Sequence, residues 1–152
     1  MSIMDISARR QLLINDYEKY GDFQSGEYRG VKWEAVRASD KSSRESSPET
    51  SPVLSRAAHK RDIYRGMSHF LCGYITLDKK LFTRDSSIYE DCMLKAGREC
   101  TYDSENEENL KLGFDCAHYM DYPIDSSSDG VYRDFPYVLK VLQKTIDNIL
   151  DL

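Results

Sequence analysis

Two carboxylates and an imidazole lie close together near the end of one apolar run. Asp115, His118 and Asp121 follow one another at intervals of three residues. If the chain turns helically after Asp115, the three side chains share one side, and a carboxylate beside an imidazole fixes its tautomer and raises its basicity. The spacing therefore predicts a general base or a site for a divalent cation such as Mg2+, Mn2+ or Zn2+, with open positions for water and a phosphate oxygen.

The same three residues also have a purely structural interpretation. Asp115 can cap a turn, His118 can donate to a backbone carbonyl, and Asp121 can start the next loop. Short clusters of aspartate and histidine at strand ends often do only this. The sequence therefore locates a candidate site without fixing its reaction.

A second possible ligand set would give a tetrahedral zinc ion two imidazoles and two thiolates. Its members are His69, Cys72, Cys116 and His118. In a regular strand His69 and Cys72 point to opposite faces, so this zinc site requires a tight knuckle between them. Without that knuckle, the two cysteines fit better as small buried hydrophobic residues.

Hydrophobic periodicity predicts the elements that position these residues. Helices are expected over residues 5–20 and 135–150, and strands over 27–37, 69–78, 97–103 and from 110 onward. A short acidic turn joins the last two strands, which implies a hairpin and a largely antiparallel sheet. The expected fold class is α+β, with a sheet of about four strands and an N-terminal and a C-terminal helix packed on it.

The chain of 152 residues fits one domain over residues 1–152. Residues 38–62 are rich in serine, proline and mixed charges, and such a composition predicts a flexible insertion within that domain. The formal charge of -5 argues against a broad nucleic-acid-binding face. No apolar run has the length of a signal peptide core or a membrane span, so we expect no membrane association and an intracellular location, cytoplasmic or nuclear.

Four segments, taken in order, resemble a family of small uncharacterised proteins encoded mainly by tailed bacteriophages, with relatives in other viruses. The segments are residues 33–37, 71–75, 112–121 and 132–138. The most specific parts are Gly113-Phe114-Asp115-Cys116-Ala117-His118 with Asp121, and Tyr132-Arg133-Asp134. The resemblance implies a viral origin and marks Asp115, His118 and Asp121 as the signature residues, while it implies no particular activity.

These observations favour a viral accessory protein that binds a host protein or a small polar or anionic ligand, with no catalysis required. The predicted binding residues are Asp115, His118, Asp121, Arg133 and Asp134. An alternative is a phosphoester hydrolase, in which Asp115 and Asp121 hold a divalent cation as cofactor and His118 acts as the base. A third interpretation is a structural module held by the zinc set.

Overall fold

The computed structural model describes residues 6–39 and 69–152. They fall into two units, each made of several segments. The first unit contains residues 6–22, 37–39, 69–71 and 116–134, and the second contains Phe23–Val36, Cys72–Asp115 and Phe135–Leu152. A single domain over residues 1–152 stays a prediction. Of the predicted insertion 38–62, residues 38 and 39 end a strand, and the remainder lies outside the described residues.

A five-stranded sheet is the centre of the second unit. Its strands are β1 (Phe23–Tyr28), β2 (Val31–Ser39), β3 (His69–Asp78), β4 (Tyr102–Glu105) and β5 (Asn109–Asp115). Their spatial order is β1-β2-β3-β5-β4, and the pairs β1–β2, β3–β5 and β4–β5 are antiparallel. The last three residues of β2 and the first three of β3 belong to the first unit. The predicted α+β class is confirmed, with five strands in the sheet.

Two predicted strands differ from the observed ones. The strand expected over residues 27–37 is the hairpin β1–β2, because Arg29 and Gly30 both have positive φ, 51° and 85°, and form a two-residue turn. The strand expected over residues 97–103 begins only at Tyr102. It is preceded by the helix α2 (Ser86–Lys95), whose end is followed by Gly97 with φ 113°.

The C-terminal helix α3 (Phe135–Leu150) covers one face of the sheet. Its buried side chains recur at helical spacing: Phe135, Val138, Val141, Leu142, Thr145, Ile146 and Ile149. Val138 packs over Gly73 of β3 beside Phe114 of β5, so closely that a Cβ atom on Gly73 would lie 3.0 Å from Val138 Cγ1. The helix also contacts α2, where Asn148 Nδ2 donates to the Cys92 carbonyl at 3.0 Å. Burial of these apolar side chains is the main source of stability for the second unit.

The first unit joins a helix to two very short strands. It contains α1 (Ile6–Tyr20) and the parallel pair β6 (Asp121–Tyr122) and β7 (Val131–Tyr132). The helix ends as the sequence predicts, since Gly21 adopts φ 73° and donates its N–H to the Tyr17 carbonyl at 2.7 Å.

Across residues 6–39 and 69–152, no helix combines the length and the apolar character that crossing a bilayer requires.

Candidate functional site

Asp121 stabilises a tight turn in the first unit. Its side chain is 1% exposed, and both of its oxygens accept hydrogen bonds. The backbone N–H of His118 donates to Oδ2 at 3.1 Å, and Arg133 Nε donates to Oδ1 at 3.0 Å. The Asp121 N–H donates in turn to the His118 carbonyl at 2.9 Å. Three of the predicted binding residues therefore do converge, and it is the backbone of His118 that donates to Asp121.

Met120 holds the turn in a strained conformation. Its φ of 73° lies in the left-handed region, which costs a residue with a side chain roughly 1–2 kcal/mol. Two hydrogen bonds fix it there: its N–H donates to Asp125 Oδ2 at 2.7 Å, and its carbonyl accepts from the Val131 N–H at 2.8 Å. Strain that is held in place by surrounding contacts is typical of functional sites.

Three side chains of this turn, and Val131 of β7 beside it, are exposed. Tyr119 is 77% exposed, Met120 43% and Val131 48%, and His118 is also exposed. We call these four residues the turn patch. Large apolar side chains held on a fixed backbone next to an imidazole form a surface suited to contact with another molecule.

Asp125 orders the loop that follows the turn. Besides the bond from Met120, its Oδ1 accepts from the Ser127 N–H at 3.0 Å and from the Ser127 hydroxyl at 2.5 Å. These hydrogen bonds, above all the one from the Ser127 hydroxyl and then the one from the Met120 N–H, lower the pKa of Asp125 below its usual value. The Asp125 N–H also donates to the Asp121 carbonyl at 2.6 Å, so the turn and the loop form one hydrogen-bonded structure.

Arg9 of α1 binds the same loop through the backbone. Its buried guanidinium donates to the carbonyls of Ser126 at 3.1 Å, of Ser127, and of Gly130 at 2.9 Å. The guanidinium also lies 4.8 Å from the ring centroid of Tyr122. One side chain of the helix thus satisfies three loop carbonyls.

A buried hydrogen-bond network joins Asp16 of α1 to Arg37 of β2 and Tyr132 of β7. Tyr132 donates its hydroxyl proton to Asp16 Oδ2 at 2.6 Å, and Arg37 donates to the Tyr132 oxygen at 2.8 Å and to Asp16 Oδ2 at 3.3 Å. Burial is the largest cause that raises the pKa of Tyr132, so its phenol stays protonated and can donate. Beside this network, Leu13, Tyr122 and Tyr132 form a small apolar cluster with Tyr17.

Asp115 and Asp134 take other positions. Asp115 ends β5 in the second unit, where Thr101 Oγ1 donates to its Oδ2 at 3.0 Å. Asp134 is the last residue of the first unit and is half-buried. Of the predicted residues, His118, Asp121 and Arg133 are joined by hydrogen bonds in the first unit. Asp115 is hydrogen-bonded to Thr101 in the second unit.

Neither predicted metal site gains support. Across residues 6–39 and 69–152, no group of three or more His, Cys, Asp or Glu side chains could hold a metal ion. The zinc set His69, Cys72, Cys116 and His118 required a knuckle, yet β3 runs as one strand from His69 to Asp78. All four cysteines are free thiols. Burial raises the pKa of Cys72 to about 11, which favours an inert thiol at neutral pH.

Sequence reasoning missed the buried polar residues that hold the turn and the loop in place. Arg9, Leu13, Asp16 and Tyr20 recur at intervals of four, three and four along α1. Two charged residues on the apolar stripe of a helix indicate buried polar partners, because an unpaired buried charge is costly. That signal was present in the sequence, although it did not identify Arg37 and Tyr132 as the partners.

Comparison with known proteins gives no relative on which a function could rest. None of the protein families, curated proteins or solved structures compared with the chain matches it.

Proposed function

We propose that this chain is a small binding protein that engages a protein partner through the turn patch, His118, Tyr119, Met120 and Val131. The observation that carries the proposal is the strained backbone at Met120, which two hydrogen bonds hold in place while the four side chains of the turn patch stay exposed. Because that backbone is fixed in advance, the turn itself loses little conformational entropy when a partner binds it. In line with the viral resemblance, the proposed partner is a host protein.

The residue types of the turn patch suit a protein surface. Tyrosine supplies a large contact area at small entropic cost, and methionine adapts to irregular apolar pockets. The neighbouring polar groups belong to the support: Asp121 pairs with Arg133, and Asp125 holds the Met120 N–H. A partner pocket that accepts Tyr119 and Met120, with a polar rim for His118, fits this arrangement best.

Binding also accounts for Asp121 better than hydrolysis does. A hydrolase would use the Asp121 carboxylate to hold a cation, but both oxygens already accept hydrogen bonds, one of them from the guanidinium of Arg133. That pairing balances the charge of a carboxylate that is 1% exposed. Asp121 is therefore a positioning residue for the turn.

The test is site-specific photocrosslinking inside bacterial cells that express the chain. In one variant a benzophenone amino acid replaces Tyr119. In the matched control it replaces Leu81 of the second unit, whose side chain is 75% exposed against 77% for Tyr119. We expect a discrete crosslinked product from position 119 that position 81 does not give. Substituting Asp121→Ala in the position-119 variant should remove that product. The same products from both positions, or none from position 119, would contradict the proposal.

A further inference from the structure

The strand β4 leaves one side of the second unit's sheet open. It pairs with β5 through the register Tyr102↔Gly113 to Glu105↔Leu110, and it is the last strand in the sheet order. In the part of the chain that the structure describes, no strand pairs with its outer side. All four of its residues are exposed. The open side of such a strand presents backbone N–H and C=O groups that an added strand can bind.

One face of the sheet next to this edge carries two tyrosine rings and the ammonium group of Lys111. Tyr74 of β3 lies against Gly113 of β5, where a Cβ atom would come within 2.3 Å of its ring, so glycine is required there. Tyr102 of β4 contacts Tyr74 edge to face, with 5.3 Å between ring centroids. Lys111 lies 4.8 Å from the Tyr74 centroid and pairs with Glu34. This face therefore already stacks a lysine on a tyrosine within the sheet.

The other face of β4 is acidic. Asp103 and Glu105 alternate with Tyr102 and Ser104 along the strand, so they point the opposite way. Glu105 pairs with Lys79 at 2.5 Å, whereas the Asp103 carboxylate has no hydrogen-bond or ion-pair partner among the described residues. The next turn adds the exposed residues Glu107 and Glu108. The edge thus carries the unpaired carboxylate of Asp103, and the adjoining turn carries those of Glu107 and Glu108.

Charge decides which occupant fits the edge. A second copy paired through β4 would bring its own Asp103 and Glu105 against an acidic edge, and like charges on neighbouring strands are destabilising. Nucleic acid would meet the same repulsion. An extended basic segment would instead place lysine or arginine beside Asp103, and a further cation could stack on Tyr102 as Lys111 does on Tyr74.

We propose that the outer edge of β4 binds an extended, lysine- or arginine-containing segment of a partner polypeptide by strand addition. The alternation of the antiparallel ladder makes Asp103 and Glu105 the positions that do not hydrogen-bond β5, so their backbone N–H and C=O groups face the open side of the edge. Backbone hydrogen bonds supply affinity, and the acidic face with Tyr102 supplies the preference for basic side chains. This surface lies in the second unit and does not depend on the turn patch.

Fluorescence anisotropy with a labelled octapeptide that alternates lysine and valine tests the proposal. We expect saturable binding that the glutamate–valine counterpart does not show, and that falls as NaCl rises from about 50 to about 500 mM. The substitution Asp103→Lys should weaken binding about tenfold or more, because it places a like charge against the peptide. The matched control Glu27→Lys, which makes the same charge change on the exposed edge strand β1, should stay within about twofold.

A second probe tests the backbone contribution without changing the protein. The lysine–valine peptide methylated on alternate backbone nitrogens keeps its charge but cannot form the strand hydrogen bonds, so its binding should be lost. Undiminished binding of the methylated peptide, or equal weakening by Asp103→Lys and Glu27→Lys, would overturn the proposal. Light scattering that shows a dimer in competition with the peptide would assign the edge to a second copy and overturn it as well.

Discussion

The Tyr132 hydroxyl donates to Asp16 at 2.6 Å, although 116 positions separate the two residues in the chain. Arg37 donates to both of them, so two opposite charges and a phenol share one buried site. A buried ion pair contributes little over a well-packed apolar group, but removing one partner is costly because the other charge is left unpaired. This site therefore makes the first unit sensitive to single substitutions.

Arg37→Ala should lower the free energy of unfolding by about 3–5 kcal/mol, because it leaves the Asp16 carboxylate buried without its cation. Tyr132→Phe should cost only about 1–2 kcal/mol, since it removes one hydrogen bond and keeps the ring. Urea unfolding followed by circular dichroism measures both changes. Tyr119→Phe, at an exposed tyrosine, is the control and should leave stability unchanged. Equal effects of the three substitutions would show that the network does not stabilise the fold.

Asp121→Asn should destabilise the chain by about 2–3 kcal/mol, because it removes the charge that pairs with Arg133 and weakens the bond from the His118 N–H. His118→Ala keeps that N–H and should change stability by less than about 0.5 kcal/mol. Thermal and urea unfolding of the two variants test this difference. A His118→Ala variant as unstable as Asp121→Asn would show that the imidazole, and not the backbone, supports the turn.

Met120→Gly should maintain or raise the free energy of unfolding, by up to about 1 kcal/mol, since glycine adopts positive φ without strain. The same variant should weaken the position-119 crosslink, because it removes an apolar side chain from the turn patch. Leu12→Gly, at a similarly exposed position within α1, is the control and should be destabilising. A clear loss of stability in Met120→Gly would mean that the turn stores no strain.

The order of the loop around Asp125 should depend on pH. Hydrogen bonds lower the folded-state pKa of Asp125 below its ordinary value of 3.8, so its stabilising effect is present above that value and is lost as pH falls through the lowered pKa. Amide chemical shifts of Met120 and Ser127 should therefore change only in strongly acidic solution. Asp125→Asn should remove this transition while Asp129→Asn keeps it. A transition at or above the ordinary value would contradict the assignment.

Cys72 should resist alkylation in the folded protein. Burial raises the pKa of the Cys72 thiol from its ordinary value of 9.0 to about 11. At a pH below 9.0 the thiol is therefore neutral in both the folded and the unfolded protein, and its burial costs no stability through ionisation. Stability is lost as pH rises from that value through the folded pKa, because only the unfolded state ionises freely. Iodoacetamide near neutral pH, followed by peptide mass spectrometry, should modify the less buried Cys100 before Cys72. Faster modification of Cys72 would show that it is accessible.

Local patterns were sufficient to predict several elements. The strand expected over residues 69–78 and the helix expected over 135–150 have the observed bounds, because each follows a strong periodicity between clear turn signals. The hairpin β1–β2 was missed for a local reason: its turn needs positive φ at Arg29, which is uncommon for a residue with a side chain. A sequence that usually continues a strand here reverses direction.

The candidate site was predictable in place but not in detail. The convergence of His118 and Asp121 follows from short spacing, and both residues lie in the turn that the structure shows. Which atom of His118 makes the contact depends on backbone geometry that residue types do not specify. The pairing of Asp16 with Tyr132 joins residues that are distant along the chain. A single sequence indicates that a buried Asp16 needs a hydrogen-bond partner, but it does not identify which residue that partner is.

Arg9 recognises the loop only by its main chain, since all three of its acceptors there are carbonyl oxygens. The identities of Ser126 and Ser127 are irrelevant to that recognition, whereas the number of residues between them and Gly130 is not, because it sets where the carbonyls lie. Among natural variants of this chain, the loop should therefore keep its length wherever arginine is kept at position 9, and Ser126, whose contact with Arg9 is made by its carbonyl, should exchange its side chain readily.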